Sequence, residues 1–235
     1  MHLDKIRRYP VKSMGGENLE RVVLDDRGLL GDRWFAVRDG DGRLASCKDT
    51  RRLRRRDAMT QFHARTEASG DIRVSDGSRA HRVGDPALDA HLGQALGAPV
   101  TVVPEGDVPH QDAGQVSLVG TATIAWCAQA WDVDLDARRL RPNLVVRTDE
   151  PFIEEAWVGR HVTIGRAVTL RVIGRVPRCR TIDVAQDGTH PRHRLLPRLA
   201  QERDGLLAVY ADVVSPGAII VGDRVDVGVG ANGPH

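Results

Sequence analysis

The stretch Trp34-Phe35-Ala36-Val37-Arg38-Asp39-Gly40-Asp41-Gly42 decides the fold class. A short apolar run ends abruptly on a Gly/Asp cluster, a composition that reverses a strand rather than capping a helix. The same arrangement recurs on both sides of it. Ile6–Val11, Leu19–Leu24, Phe62–Thr66 and Ile72–Val74 are short segments of period-two character, punctuated by Gly15-Gly16 and Asp76-Gly77. Together they predict antiparallel β-structure. Ala87–Leu96 interrupts the series, because Leu88, Leu92 and Leu96 at helical spacing predict one short amphipathic helix closed by Gly97. The domain boundary is placed there, giving a β-barrel-like domain over 1–97, a second domain over 98–228 and a flexible tail over 229–235.

Val100–Val103 opens the second part, and an apolar stripe of Ile124, Ala125, Ala128 and Trp131 predicts a helix from about Thr121 to Ala130. Short β-rich segments follow at Leu144–Arg147, Val162–Ile164, Val168–Val172, Cys179–Val184, Val209–Val214 and Val225–Val227. The fold class is therefore mainly β with a few helices, α+β, the second half forming a barrel or sandwich.

Composition narrows the function classes. In 235 residues, 41% hydrophobic and 28% charged content describe a chain that folds in water. No window approaches the roughly 20 consecutive apolar residues of a membrane span, and Met1–Lys5 has no apolar leader, so a soluble cytoplasmic protein with no membrane partner is expected. A net charge of +2 is too balanced for a nucleic-acid-binding face, and 4% aromatic content gives no stacking platform. The one basic cluster, Arg51-Arg52-Leu53-Arg54-Arg55-Arg56, reads as a solvated loop. Lys5, Lys12 and Lys48 are the only lysines among 34 basic residues; an ammonium and a guanidinium do not replace one another at a tight anion site, which draws attention to the three. His190 and His193 lack a third ligand at metal-site spacing and read as exposed loop residues. Gly28 to Gly31 leads into a strand, so no dinucleotide fingerprint is present.

Cys47, Cys127 and Cys179 form no disulfide framework or metal knuckle. Cys127 falls within the predicted helix as a small buried hydrophobe. Cys179, between Arg178 and Arg180, is expected to be a reactive or metal-ligating sulfur, since neighbouring guanidinium groups favour a thiolate.

Five motifs in order set these residues in a pattern: Tyr9-Pro10-Val11-Lys12-Ser13, Gly28-Leu29-Leu30-Gly31-Asp32-Arg33-Trp34, Arg139-Leu140-Arg141-Pro142-Asn143-Leu144, Pro177-Arg178-Cys179-Arg180-Thr181 and Val221-Gly222-Asp223-Arg224-Val225. From about Leu3 to Val227 the chain resembles the MOSC family in its two-part form, an N-terminal MOSC β-barrel domain followed by a MOSC β-barrel domain, the group that includes the amidoxime-reducing components. The resemblance implies a molybdenum–pterin cofactor (Mo-molybdopterin) with Cys179 as metal ligand and catalytic residue. It implies that Lys12, Ser13, Arg33, Arg141, Asn143 and Arg178 converge on that cofactor, and the family is also associated with pyridoxal phosphate binding. Singly, each position has a plainer role: Asp32-Arg33 as a surface ion pair, Asn143 as a turn cap, Lys12-Ser13 as an ordinary loop.

The sequence departs from the pattern at Ala45-Ser46-Cys47-Lys48-Asp49-Thr50, where Lys48 stands for an arginine and Cys47 adds a thiol. Asp112 keeps the start of a family loop and the Thr121 segment aligns only loosely with its continuation; the resemblance implies that Lys48, Asp112 and Thr121 also bind the cofactor. The activity implied is reductive removal of oxygen from N-hydroxylated small-molecule substrates (amidoximes, hydroxylamines, N-oxides), with electrons from a separate flavin or iron–sulfur reductase. The alternative is sulfur transport or cofactor sulfuration through a Cys179 persulfide, and a third reading is a cofactor-free binding module.

Overall fold

Alternation of apolar and polar residues sets the core of the computed structural model, which describes residues 1–106 and 109–228; the tail expected over 229–235 lies outside them. In the strand Arg21–Asp25, Val22 and Leu24 are buried while Arg21 and Val23 are exposed, the period-two signature of a sheet with one wet face. The largest sheet has eight strands in the order Val225–Val227, His161–Ile164, Val168–Pro177, Leu206–Ser215, Val116–Gly120, Leu144–Arg147, His2–Arg8 and Glu17–Leu19. Its neighbours are antiparallel except for Val116–Gly120 beside Leu144–Arg147, and the helix Thr121–Ala130 supplies part of the crossover which that parallel pair needs. Mainly β structure with a few helices is thus the fold class.

The halves of the chain exchange strands. His2–Arg8 pairs with Leu144–Arg147, Val100–Pro104 completes a four-stranded sheet beside Phe35–Asp39, and Gly217–Ile220 pairs with Arg21–Asp25. Residue 97 is therefore not a border between sheets. Three apolar clusters result. The first fills the space between the eight-stranded sheet and Arg21–Asp25 with Leu3, Ile6, Leu118, Leu170 and Val209. A second lies under the helix Pro86–Leu96, where Leu88, Leu92 and Leu96 face Val37, Met59 and Phe62. The third gathers Cys127, Trp131, Leu140, Ile182 and Leu199. The helix Pro86–Leu96 is capped by the Asp85 carboxylate at its start and by Gly97 at φ 66° at its end.

Several segments differ from the sequence expectation. The first strand spans His2–Arg8 and stops before Tyr9-Pro10, where proline removes a ladder donor. Leu19–Leu24 divides into Glu17–Leu19 and Arg21–Asp25. Cys179–Val184 is not a strand: Arg180–Asp183 forms a single 3₁₀ turn with Cys179 at its head. The Arg51–Arg56 cluster is only partly loop, since Leu53–Arg55 pairs in parallel with Leu44–Ser46, and Arg54 forms ion pairs with Asp39 and Asp41. Among the described residues no helix is long and apolar enough to cross a membrane.

Candidate functional site

Tyr9–Ser13 leaves the large sheet and runs into the second core, and it is zipped to the segment after Gly31. Arg33 N donates to Tyr9 O at 2.7 Å and Lys12 N to Phe35 O at 2.8 Å. The buried Asp32 carboxylate accepts from Tyr9 N at 2.8 Å and pairs with the Arg33 guanidinium. Two motifs far apart in sequence are thereby fixed side by side. The turn after Ser13 requires glycine: a Cβ on Gly15 would fall 2.4 Å from His63 Nδ1, and one on Gly16 would fall 2.2 Å from Arg8 O.

A cavity of about 390 Å³ opens beside this pair of segments, within the size range of small-molecule sites. Lys12, Ser13, Arg33, Lys48, Asp112, Arg141, Arg178 and Cys179 all line it. Ser13, Arg33 and Arg141 hold φ of 68°, 54° and 53°, left-handed conformations that cost a non-glycine residue of order 1–3 kcal/mol each and collect at functional sites. The fold holds them there by hydrogen bonds, Arg141 as the C-terminal cap of the turn Ala137–Leu140.

The walls are cationic. Lys12 is buried, its Nζ donating to His110 O at 2.7 Å and to Asp112 Oδ1 at 3.0 Å; burial lowers its pKa in spite of that carboxylate. Withdrawal from water acts to raise the Asp112 carboxyl, but Lys12, Lys48 and Arg33 outweigh it and hold Asp112 well below the usual carboxylate range. Tyr9 lies under a set of guanidinium groups, with Arg141 4.2 Å, Arg33 5.0 Å and Arg7 5.6 Å from its ring centroid. Its face softens the repulsion among them. Arg141 donates to Met14 O at 2.7 Å and has no carboxylate partner among the described residues. Arg178 donates to Leu140 O, while its Nε is buried with no partner among the described residues.

Cys179 is half-buried at the cavity wall, with its Sγ 3.2 Å from Thr181 Oγ1. The flanking guanidinium groups point elsewhere: Arg178 to Leu140 O, Arg180 to Cys47 O at 3.0 Å and to Asp57 at 2.5 Å. Neither is hydrogen-bonded to the thiol. Among the described residues no group of three His, Cys, Asp or Glu side chains is placed to hold a metal ion, which leaves Cys179 as a single soft donor. Cys127, within the third core, has its thiol pushed up to about 12 by burial. His190 and His193 are exposed.

Two expected site residues are elsewhere. Thr121 opens the helix Thr121–Ala130, and its hydroxyl donates to Thr148 O at 3.3 Å and accepts from Thr148 N at 3.1 Å. Asn143 is buried in the large sheet, where Oδ1 accepts from Ser117 N and Ser117 Oγ at 3.2 and 3.0 Å and Nδ2 donates to Arg7 O at 3.3 Å. One step past Pro142 the side chain points into the strand junction rather than the cavity. Asn143→Ala is expected to lower stability by about 1–3 kcal/mol through the unpaired groups left behind, which urea unfolding checks.

The sequence reading missed Tyr210, Thr181 and Arg52, which also line the cavity. One signal was present: the chain has only two tyrosines, Tyr210 in the cavity wall and Tyr9 buried beneath the Arg33 and Arg141 guanidinium groups that line it.

Comparison with known proteins places this geometry in context. The chain is 26% identical over 250 residues to a molybdenum cofactor sulfurase from Danio rerio, covering 84% of this chain and 30% of that protein. It is 24% identical over 241 residues to one from Oryza sativa subsp. japonica, covering 80% and 29%. It thus spans under a third of these relatives. The crystal structure of the YuaD protein from Bacillus subtilis superposes with a TM-score of 0.51 at 13% identity, over 96% of this chain and 94% of that one, a likeness of fold alone. The family model for the MOSC N-terminal beta barrel domain matches residues 1–96, and that for the MOSC domain matches residues 97–226. The chain belongs to the MOSC family, in the arrangement that sets the N-terminal barrel before the MOSC domain.

Proposed function

We propose that the chain holds a molybdenum–pterin cofactor in this cavity, with Cys179 as the protein ligand of the metal, and that it removes oxygen from N-hydroxylated substrates such as amidoximes, hydroxylamines and N-oxides. The observation that carries the reading is the buried, unpartnered Nε of Arg178, which lines the same cavity as Cys179 and as Arg141, itself without a carboxylate among the described residues. A phosphate-bearing group with hydrogen-bonding ring edges fits those donors, because guanidinium groups meet phosphate oxygens in planar, charge-assisted contacts. When bound, the group supplies two-electron redox chemistry at its metal. Arg141 and Arg178 would hold the phosphate, and Lys12 and Arg33, fixed by Asp112 and Asp32, would present charge without moving. Ser13 would contribute backbone and hydroxyl at the turn. Thr181 orients Cys179 Sγ, and Lys48 with Arg52 faces whatever enters from solvent. Electrons come from a separate flavin or iron–sulfur protein, with reduced viologens as laboratory substitutes.

A second reading draws on the relatives, both molybdenum cofactor sulfurases: Cys179 would carry sulfur as a persulfide. Analysis of protein from a cofactor-competent host decides between them. Stoichiometric molybdenum with viologen-driven amidoxime reduction supports the first; metal-free protein with cyanide-releasable sulfur supports the second; neither metal nor labile sulfur overturns both. Under the first reading, Arg141→Ala is expected to weaken cofactor retention about ten- to a hundredfold, the worth of one charge-assisted contact of roughly 1.5–3 kcal/mol. Turnover per bound molybdenum should change little. Normal occupancy with lost specific activity would place Arg141 at the substrate instead.

A further inference from the structure

The charges that line the cavity do not balance within the protein. Three of its cations have carboxylate partners in the fold: Lys12 with Asp112, Arg33 with Asp32 and Arg139 with Asp183. Lys48, Arg52, Arg141 and Arg178 also line it, and none of the four forms an ion pair among the described residues. Uncompensated cations in one cleft repel one another and sustain a field there that attracts anions. A phosphate monoester brings a charge of about −1.5 to −2 at neutral pH. That suffices for Arg141 and Arg178 and leaves Lys48 and Arg52 uncompensated.

The acids nearest this pair in the chain are committed elsewhere. Asp49 Oδ1 accepts from Arg55 N at 2.9 Å. Asp57 pairs with Arg55 and Arg180, while Asp39 and Asp41 pair with Arg54. Arg52 donates to Pro109 O at 2.7 Å, one contact for a guanidinium that carries five N–H donors. The segment bearing both cations is braced. Thr50 N donates to Leu53 O at 3.0 Å, and Thr50 Oγ1 accepts from Arg52 N at 3.2 Å and Leu53 N at 3.1 Å. It connects the paired strands Leu44–Ser46 and Leu53–Arg55. Arg52 is exposed and Lys48 half-buried, so this side of the cavity is open to solvent.

We propose that Lys48 and Arg52 form a second anion subsite on the solvent side of the cavity, and that the substrate carries an anionic group, such as a carboxylate, apart from its N–O bond. A carboxylate there accepts from a flexible ammonium and a planar guanidinium together, and the field of the cleft speeds capture of the anionic molecule. That the occupant is a substrate rests on the reductase reading, whereas the subsite itself rests on the unpaired cations.

Full-length protein purified from a cofactor-competent host is assayed with a reduced viologen on an aryl amidoxime and on its para-carboxylated counterpart. Calorimetry measures binding of benzamide and 4-carbamoylbenzoate, which have no N–O bond to reduce. The wild-type protein should favour the carboxylated member of each pair by about tenfold, the low end for one charge-assisted contact. At about 1 M salt, where the screening length is about 3 Å, most of that preference should vanish. In the double variant Lys48→Met, Arg52→Gln both ratios should fall to about one, with turnover taken per bound molybdenum. Equal binding of the two amides by the wild-type protein, or a preference that survives in the double variant, would overturn the subsite. Binding of 4-carbamoylbenzoate through Lys48 and Arg52 by a protein that reduces no amidoxime would support the subsite and overturn the reductase reading; amidoxime reduction indifferent to the carboxylate would do the reverse.

Discussion

Cys179→Ser is expected to reduce viologen-driven reduction of a simple amidoxime to background, a loss of more than about a hundredfold. Removing a group that merely supports a metal ligand costs about 10–100-fold, and this change removes the ligand itself. A serine hydroxyl is far less acidic than a thiol, and its oxygen is a harder donor. The fold should survive, because Cys179 is half-exposed and its sulfur makes one polar contact, to Thr181 at 3.2 Å. Wild-type turnover by a variant that still binds the cofactor would remove Cys179 from the ligand role. Cys127→Ser is the control: activity stays unchanged, with a modest loss of stability from placing a hydroxyl in an apolar cluster.

The largest loss of stability is expected at Arg139. Its side chain is fully buried, yet every part of the guanidinium is engaged: Nε donates to Ile182 O at 2.9 Å, Nη1 to Asp134 O, and Nη2 to His193 O at 3.0 Å and Asp183 Oδ1 at 3.3 Å. Asp183 also accepts from Leu195 N at 2.6 Å. Arg139→Ala therefore leaves three carbonyls without donors and the Asp183 carboxylate with only Arg194, at 3.7 Å, and the Leu195 and Leu196 N–H groups, for a cost of about 3 kcal/mol. The midpoint of urea denaturation should fall accordingly, and cofactor retention with it, since the same guanidinium pins the turn that begins at Cys179. An Arg139→Ala protein of wild-type stability would show that solvent or a neighbour takes over those groups.

Much of the fold was legible because local chemistry and tertiary packing agree. Leu88, Leu92 and Leu96 with Gly97 predict the helix Pro86–Leu96, and Ile124 to Trp131 mark the helix Thr121–Ala130. Cys179–Val184 was misread because Ile182 and Val184 alternate with polar neighbours as a strand would. The contacts that bend this segment into a turn come from Asp57 and Arg139, distant in the chain. The site divides in the same way. Lys12, Arg33, Arg141, Arg178 and Cys179 follow from motif order, and they do meet at one cavity. Asn143 and Thr121 did not, because residue spacing says nothing about which way a side chain points once proline or a helix start has turned the backbone.

The exchange of strands between the two halves has a consequence for how the protein is made. While the first ninety or so residues are emerging from the ribosome, His2–Arg8 has no partner at Leu144–Arg147, Phe35–Asp39 lacks Val100–Pro104, and Arg21–Asp25 lacks Gly217–Ile220. Phe35–Asp39 finds its partner within about the next fifteen residues, but the other two edges, one of them bearing the apolar pair Val22 and Leu24, must wait for segments synthesised much later. The cavity itself is complete only once Arg178, Cys179 and Tyr210, carried by late segments, have joined Lys12 and Arg33.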